Sequence, residues 1–236
     1  MSDWESYGGV ACDWIEQNLI HGEGDFYGRP FLLTPFQQRF LWDWYEYDPA
    51  AQEDGYPLRW RYREGLLGLP RGEGKTEFVA AIAVLEFAGP PPIRRLSPEI
   101  EIGAASRDQA GILYGAASIM CGGKRGVAAE SPLHGEFDVY DQITTSAAGT
   151  PGKLVRFAAD SATGQGSRPT LFIADELHEW TGKVESVYMV KATATLKRRG
   201  ARVLCLTTAG IRGSDTICER KYLAGQKGTN PRVLFR

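Results

Sequence analysis

The feature that most constrains the fold is a glycine-rich loop at residues 68–76, which reads GLPRGEGKT. The apolar residues 65–69 predict a buried strand, and residues 76–87 predict a helix that the Gly-Pro-Pro-Pro run at 89–92 ends. A glycine-rich turn between a strand and a helix directs backbone N–H groups and the positive end of the helix dipole toward an anion. This loop therefore predicts a binding site for a nucleoside triphosphate.

Three side chains of the loop have predicted roles. Lys75 is placed to reach the terminal phosphates, the Thr76 hydroxyl to hold Mg²⁺, and Arg71 to neutralise charge developing on the γ-phosphate. The loop departs from the pattern G-x-x-x-x-G-K-[ST], because the first glycine position falls on Leu69. A glycine-rich turn that binds no phosphate, with a solvated Arg71, is the alternative. The residues assigned to the nucleotide are Arg71, Gly72, Glu73, Gly74, Lys75 and Thr76.

Composition limits the class of protein. With 236 residues, 43% hydrophobic and 24% charged, the chain can form a single α/β domain with small appendages. A net charge of −2 argues against a surface devoted to nucleic acid but allows a local basic patch.

Basic clusters occur at residues 59–63, 124–125 and 197–199. Taken singly, each cluster is interpreted as a solvent-exposed face. If several of them share one rim, they would bind phosphates without reading the sequence of a nucleic acid.

The sequence gives no sign of secretion or of a metal cluster. The N-terminus is acidic, and the longest apolar run, residues 78–85, is too short to cross a bilayer. The four cysteines lie far apart and only three histidines are present, which indicates neither a zinc site nor a disulfide framework. We therefore expect a protein of a reducing compartment with no membrane contact.

Strand and helix patterns alternate along the chain, as a mostly parallel sheet flanked by helices requires. Residues 1–60 are aromatic-rich and irregular, with one helix at about 35–47. Further elements are predicted as follows: strands at 99–105, 136–145, 153–159, 170–176 and 201–206, helices at 108–120 and 183–199, a hairpin or surface excursion at 147–152 and a loop at 160–169.

Two carboxylates end the predicted strand at 170–176. Asp175 would join the Mg²⁺ shell beside Thr76, and Glu176 would polarise the water that attacks the γ-phosphate. The alternative is that both acids only cap the next helix. Glu176 matters most, because hydrolysis needs a group that orients water and simple nucleotide binding does not.

Two further segments are candidates for nucleotide contacts. Thr207 and Thr208 follow the strand at 201–206, so their hydroxyls would lie at the same sheet edge and sense the γ-phosphate, unless they only form a turn. Gln37 carries an amide that can read the edge of adenine, or it simply begins a surface helix.

The order of these motifs resembles the ATPase domain of the large terminase subunit of tailed bacteriophages, in the HK97-type branch. The resemblance is carried by Pro35-Phe36-Gln37, the arginine-bearing loop at 71–76, the Asp-Glu-Leu-His-Glu-Trp run at 175–180, and the segment 207–210. It implies an additional-strand (ASCE) P-loop ATPase that uses ATP and Mg²⁺ and forms a ring on the portal vertex. With the portal protein and the small terminase subunit, such a ring pumps double-stranded DNA into a procapsid.

The resemblance also implies roles for particular residues. Gln37 would contact adenine, Arg71 and Lys75 phosphate, Asp175 the metal and Glu176 the water. Thr207 and Thr208 would couple hydrolysis to movement. A neighbouring subunit of the family usually supplies an arginine in trans, for which Arg107 and Arg168 are candidates.

The resemblance predicts the domain organisation. Residues 1–60 would form the N-terminal segment with the adenine-contacting glutamine, 61–210 the ATPase core, and 211–236 the start of a lid. We expect no nuclease domain and no nuclease activity in this chain. The isolated domain is expected to be a slow monomer, in the cytoplasm of the host cell.

Two other functions share these motifs. A helicase or remodelling ATPase has the same loop and acid pair, but would need further strand-tracking motifs and usually has a second motor domain. A nucleotide-binding assembly subunit with little turnover would need no Glu176.

Overall fold

The computed structural model describes residues 4–123, 128–146, 151–160, 166–208, 210–228 and 230–236. The helices are α1 (Gly8–Asn18), α2 (Pro35–Trp44), α3 (Lys75–Ala88), α4 (Arg107–Met120), α5 (Lys183–Ala194) and α6 (Ile217–Lys227). The strands are β1 (Glu5–Ser6), β2 (Glu46–Tyr47), β3 (Gln52–Glu53), β4 (Tyr56–Pro57), β5 (Glu64–Gly68), β6 (Glu99–Ala104), β7 (Phe137–Val139), β8 (Ile143–Ser146), β9 (Lys153–Ala158), β10 (Leu171–Ala174), β11 (Arg202–Thr207) and β12 (Val233–Phe235).

An eight-stranded sheet forms the centre, in the order β12-β5-β11-β10-β6-β9-β8-β7. The pairs from β12 to β9 are all parallel, and β8 and β7 add an antiparallel margin. Strand β11 lies between β5, which precedes the glycine-rich loop, and β10, which precedes the acid pair. This is the strand order of an additional-strand P-loop fold, so the predicted α/β fold class is confirmed.

The parallel register brings three strand ends together. Thr207 at the end of β11 pairs with Gly68 at the end of β5, and β10 pairs with β11 up to Ala174 and Cys205. We call this the carboxyl edge of the sheet; the amino edge is where β5, β10, β11 and β12 begin. Motifs that are distant in sequence therefore meet at the carboxyl edge, where open α/β sheets bind ligands.

Helix α3 is the central helix of the core. It is buried from Phe78 to Phe87, since α1, α4 and the sheet cover it. Its apolar character on all sides is what a fully enclosed helix requires. The first residue of α3 is Lys75, so the end of the glycine-rich loop joins directly to this enclosed helix.

The structure corrects several predicted elements. The predicted strand at 136–145 is two strands, β7 and β8, which form an antiparallel hairpin. The predicted helix at 183–199 ends at Ala194 and continues as a 3₁₀ turn, Thr195–Lys197. The segment called irregular contains α1, whose small residues, Gly8 and Gly9, pack directly against Trp42 of α2. Residues 147–150 of the predicted excursion lie outside the described residues.

Candidate nucleotide site

The glycine-rich loop owes its shape to two left-handed residues. Gly72 has φ of 89° and Gly74 has φ of 67°, in a region that favours glycine because side chains clash with the backbone there. No atom lies within 4 Å of a Cβ built at either position, so conformation rather than space requires glycine. Gly74 is the N-cap of α3, and the loop therefore ends on the free N–H groups of a helix.

Lys75 and Glu176 meet at the carboxyl edge. The ammonium Nζ of Lys75 lies 2.9 Å from Glu176 Oε1, and the side chains are 5% and 24% exposed. Glu176 has φ of 45°, an uncommon value for a residue with a Cβ. Strained backbone of this kind persists only where the surrounding structure holds it, and it concentrates at functional sites.

The neighbouring Asp175 is nearly enclosed. Its Oδ1 accepts the Glu176 N–H at 2.9 Å, and its backbone C=O accepts Trp180 Nε1–H at 2.8 Å. Burial and, next, the charge of Glu176 raise the Asp175 pKa from 3.8 to about 6, although Lys75 and the backbone hydrogen bond favour the carboxylate. An added cation beside this carboxyl would stabilise its charged form.

His178 connects the acid pair to the threonines and was not among the predicted site residues. Its Nδ1 shares a hydrogen bond of 3.2 Å with Thr207 Oγ1 and lies 3.3 Å from Glu176 Oε2. That Glu176 oxygen is buried and, among the described residues, makes no hydrogen bond of good geometry. Thr207 Oγ1 also lies 3.5 Å from Cys218 Sγ on α6. The only sequence signal for His178 was its position two residues after the acid pair.

A second unpredicted contact fixes the start of α3. Glu77, in the first turn of α3, accepts the Gly22 N–H at 2.8 Å through Oε1, and Oε2 lies 2.8 Å from His21 Nδ1. The N-terminal segment is therefore attached to the helix that carries Lys75. Nothing near Glu77 in the sequence indicated this contact, because His21 is more than fifty residues away.

The remaining predicted residues have different surroundings. Gln37 forms a capping box: its Oε1 accepts the Thr34 N–H at 2.8 Å and its own N–H donates to Thr34 Oγ1. Arg71 and Glu73 are exposed, whereas Thr76 and Thr208 are half-buried at the carboxyl edge. Arg107 starts α4 at that edge, and Arg168 precedes β10 at the amino edge, so the two trans candidates lie on opposite sides of the sheet.

A cleft of about 440 Å³ opens beside the threonines, between the ends of β5 and β12 and helix α6. Thr207, Thr208 and Gly68 line one wall, and Tyr222 and Leu223 of α6 line the other. Cys218 on α6, Thr207 and His178 thus form a chain of contacts from α6 to Glu176.

Comparison with known proteins decides the family. The sequence model described as "Terminase large subunit, ATPase domain" matches residues 58–225, well over half of the chain. The chain belongs to this family. The fold class and the resemblance to the HK97 type inferred from the motifs are thereby confirmed, and the family name states ATPase activity.

Several relatives support this assignment. A "Gene 13 protein" of Mycobacterium phage L5 is 28% identical over 217 residues, 84% of this chain and 34% of that protein. The "Terminase, large subunit" of Enterobacteria phage HK97 is 25% identical over 209 residues, 86% of this chain and 37% of that protein. The crystal structure of the HK97 bacteriophage large terminase superposes with a TM-score of 0.77 at 21% identity, covering 98% of this chain and 43% of that one. This terminase ATPase domain thus spans about a third of the length of its curated relatives.

Proposed function

We propose that this terminase ATPase domain hydrolyses ATP with Mg²⁺ and that the released energy moves double-stranded DNA into a procapsid. The observation that carries the proposal is the approach of Lys75 Nζ to Glu176 Oε1 at 2.9 Å. Lys75 would bind phosphate and Glu176 would orient water, and their side chains are in contact at the carboxyl edge although they lie far apart in the sequence. Binding and hydrolysis would then use two groups that meet at one point of the fold.

The phosphates would lie on the loop that ends at Lys75. The left-handed Gly72 and Gly74 turn the backbone so that N–H groups can face the phosphate oxygens. Lys75 would exchange its contact with Glu176 for the terminal phosphate, which releases the carboxylate for the attacking water. Exposed Arg71 would stabilise charge on the γ-phosphate, and Glu73 completes the loop.

The chemistry of Asp175 and Thr76 fits Mg²⁺, because this ion takes oxygen ligands, keeps several waters and binds one or two carboxylates together with substrate phosphates. Asp175 is buried at the carboxyl edge, and Thr76 lies in the first turn of α3. The Asp175 carboxylate and the Thr76 hydroxyl would hold Mg²⁺, and the ion would offset charge on the phosphates.

Glu176 would orient a water for in-line attack on the γ-phosphorus, breaking the bond to the ADP oxygen. His178 would position Glu176, since Nδ1 lies between Glu176 Oε2 and Thr207 Oγ1. Thr207 and Thr208 would then transmit the state of the γ-phosphate to α6 through Cys218. These contacts give the coupling role a physical path.

Gln37 would contact adenine through its amide nitrogen. Its oxygen already accepts the Thr34 N–H in the capping box, which fixes the side chain and leaves the NH₂ group as the donor for the base.

The proposed partners follow from the family. Double-stranded DNA, the portal protein and the small terminase subunit would assemble with a ring of this domain on the procapsid, and Arg107 or Arg168 would enter the neighbouring site in trans. Within the described part of the chain no helix has the length and apolarity to cross a membrane. We propose the host cytoplasm as the place of action, the isolated domain being a monomer.

The test is ATP hydrolysis by Glu176→Gln, measured with and without duplex DNA and procapsids. We expect kcat to fall by about 10²- to 10⁴-fold, the range for a lost general base, with nucleotide affinity retained. The control Glu136→Gln changes an exposed acid outside the site and should leave kcat unaltered. An unchanged rate in Glu176→Gln would instead favour an assembly subunit. Wild-type stimulation by DNA but not by procapsids would favour a helicase.

A further inference from the structure

The part of the amino edge where β5, β11 and β12 begin is rich in arginine. Arg63 precedes β5, Arg199 precedes β11 and Arg232 precedes β12, and the hydrogen bond from Arg63 N–H to Arg232 C=O at 2.9 Å joins two of these segments. Two of the three basic clusters in the sequence, 59–63 and 197–199, therefore share one rim. The chain as a whole carries a charge of −2, so this rim is a local concentration of positive charge.

A cleft of about 350 Å³ lies in this rim, and we call it the arginine cleft. No acidic side chain is among its lining residues in the described structure. Five of its lining residues are arginines: Arg59, Arg63, Arg198, Arg199 and Arg232.

Few of these charges are neutralised. Arg59 contacts Asp48 and Arg199 contacts Glu53, each at 3.4 Å, but both arginines are at least half exposed and such pairs contribute little. Arg63 is exposed. Arg232 Nη2 donates to Trp60 C=O at 3.1 Å, whereas Arg232 Nε is buried without a hydrogen-bond partner among the described residues. Burial, and the charges of Arg59 and Arg63, lower the Arg232 pKa. An anion in the cleft would relieve this repulsion.

Other arginines of the rim are fixed by the backbone. Arg198 donates to Leu96 C=O at 2.7 Å and to Ser97 C=O at 2.9 Å. Arg95 donates to Pro57 C=O at 2.8 Å and to Arg199 C=O at 2.9 Å. Charges held in this way lose little side-chain entropy when an anion binds. The rim also continues beyond the cleft, with Arg95, Arg168 and Lys197 beside it.

We propose that the arginine cleft binds the phosphodiester backbone of double-stranded DNA without reading its sequence. The inference rests on the proposed packaging function. Basic residues continue past the cleft on the side of Lys197, and on the side of Arg95 they stand beside Glu53 and Asp54. A basic surface of this extent fits a linear polyanion better than a single small phosphate. Since the nucleotide site lies at the carboxyl edge, DNA and ATP would bind opposite ends of the strands and would not compete.

The test compares two double variants of equal charge change. Arg63→Glu with Arg199→Glu alters the cleft but removes no hydrogen bond that fixes the backbone. Arg29→Glu with Lys183→Glu, both exposed and outside the rim, is the matched control. Binding of a fluorescein-labelled duplex of mixed sequence is followed by fluorescence anisotropy across a range of NaCl concentrations. Thermal unfolding checks that both variants are folded.

The cleft variant is expected to bind the duplex at least about tenfold more weakly at low salt, with a salt slope reduced by roughly 2, since each phosphate contact contributes about 0.9. The control should bind like the wild type. An equal loss in both variants, or no duplex binding by the wild type, overturns the proposal.

Two further measurements separate the possible ligands. Labelled polyglutamate that binds as tightly as the duplex, with the same loss in the cleft variant, would assign the cleft to an acidic protein instead. Binding of tripolyphosphate is measured by calorimetry in a Lys75→Met background. If the cleft substitutions abolish tripolyphosphate binding but leave duplex binding unchanged, the cleft is assigned to a small anion instead. ATP hydrolysis without DNA is measured separately and should be unchanged in the cleft variant. An inactive wild type would contradict the proposed function while leaving the cleft result standing.

Discussion

Two of the ion pairs that join a basic side chain to a glutamate in this domain have opposite surroundings. Arg202 and Glu86 are 1% and 4% exposed, with Arg202 Nη2 2.6 Å from Glu86 Oε1. Arg202 also donates to Trp44 C=O at 2.6 Å and lies over the rings of Trp44 and Trp60, 4.1 and 4.3 Å from their centroids. The pair of Lys75 and Glu176 is instead open to solvent on the glutamate side.

The difference shows how surroundings decide what an ion pair does. Tyr45 adds a hydrogen bond to Glu86 at 3.3 Å, so the enclosed pair has no access to a ligand and holds β11 against α2 and α3. Glu176 is 24% exposed and has a left-handed backbone, so water or a ligand can reach its pair with Lys75. Among the described residues each pair keeps one buried atom without a hydrogen bond, Arg202 Nε and Glu176 Oε2, so solvent access is what separates the two pairs.

The largest expected effect is on the enclosed pair. Arg202→Met should lower the free energy of unfolding by about 3–5 kcal/mol, because Glu86 would remain buried without its cation. Urea denaturation measures the change. The double variant Arg202→Met with Glu86→Leu should recover much of the loss, since no buried charge remains. Full stability in Arg202→Met alone would contradict a structural role.

The matching change at the open pair should act on activity instead. Lys75→Met is expected to lower kcat by about 10²- to 10³-fold, the effect of removing one group that stabilises the transition state. Its unfolding free energy should stay within about 1 kcal/mol of the wild type, because water can hydrate Glu176. Steady-state kinetics and urea denaturation are measured on the same samples. If Lys75→Met lowered the unfolding free energy as much as Arg202→Met does, the two pairs would not differ in their structural role.

The pKa of Asp175, beside the open pair, predicts how the stability of the domain depends on pH. Its folded-state pKa of about 6 lies above the usual 3.8, so between these pH values the folded protein binds more protons than the unfolded chain. Stability without Mg²⁺ should therefore fall as the pH rises through this window. Asp175→Asn should remove this part of the slope and stabilise the domain at neutral pH by about 1–3 kcal/mol. The pKa of Glu86 is also raised, so Glu86 contributes a decrease of stability with rising pH, and Asp175→Asn retains this contribution.

The smallest expected effect concerns His178. His178→Ala should lower kcat by about tenfold with KM within about twofold, because Glu176 loses its positioning and the nucleotide contacts remain. His178→Asn should restore part of the rate, since its amide can replace Nδ1. In a double-mutant cycle with Thr207→Val the losses should not add. A change confined to KM, or strictly additive losses, would show that the three side chains do not act together.

The meeting of the motifs at the candidate nucleotide site could be predicted from sequence because each piece is local. The glycines, Lys75 and Thr76 lie in one loop, and Asp175 and Glu176 are adjacent at the end of one strand. Parallel strands all end at one edge, which was enough to expect these pieces to meet. The hairpin of β7 and β8 was missed because polar and apolar residues alternate through most of residues 136–145, as they do in one longer strand. The short turn between the two strands does not interrupt this pattern clearly.

The sequence by itself determined which elements form and which chemical groups their ends carry, because hydrophobic period, capping residues and glycine conformation act over a few residues. Only the tertiary structure decided which distant groups became neighbours. His178 meets Thr207 because β11 lies beside β10, Arg202 is enclosed by rings from two separate segments, and the arginine cleft assembles where three strands begin. Such contacts depend on strand order and packing, and no local pattern specifies them.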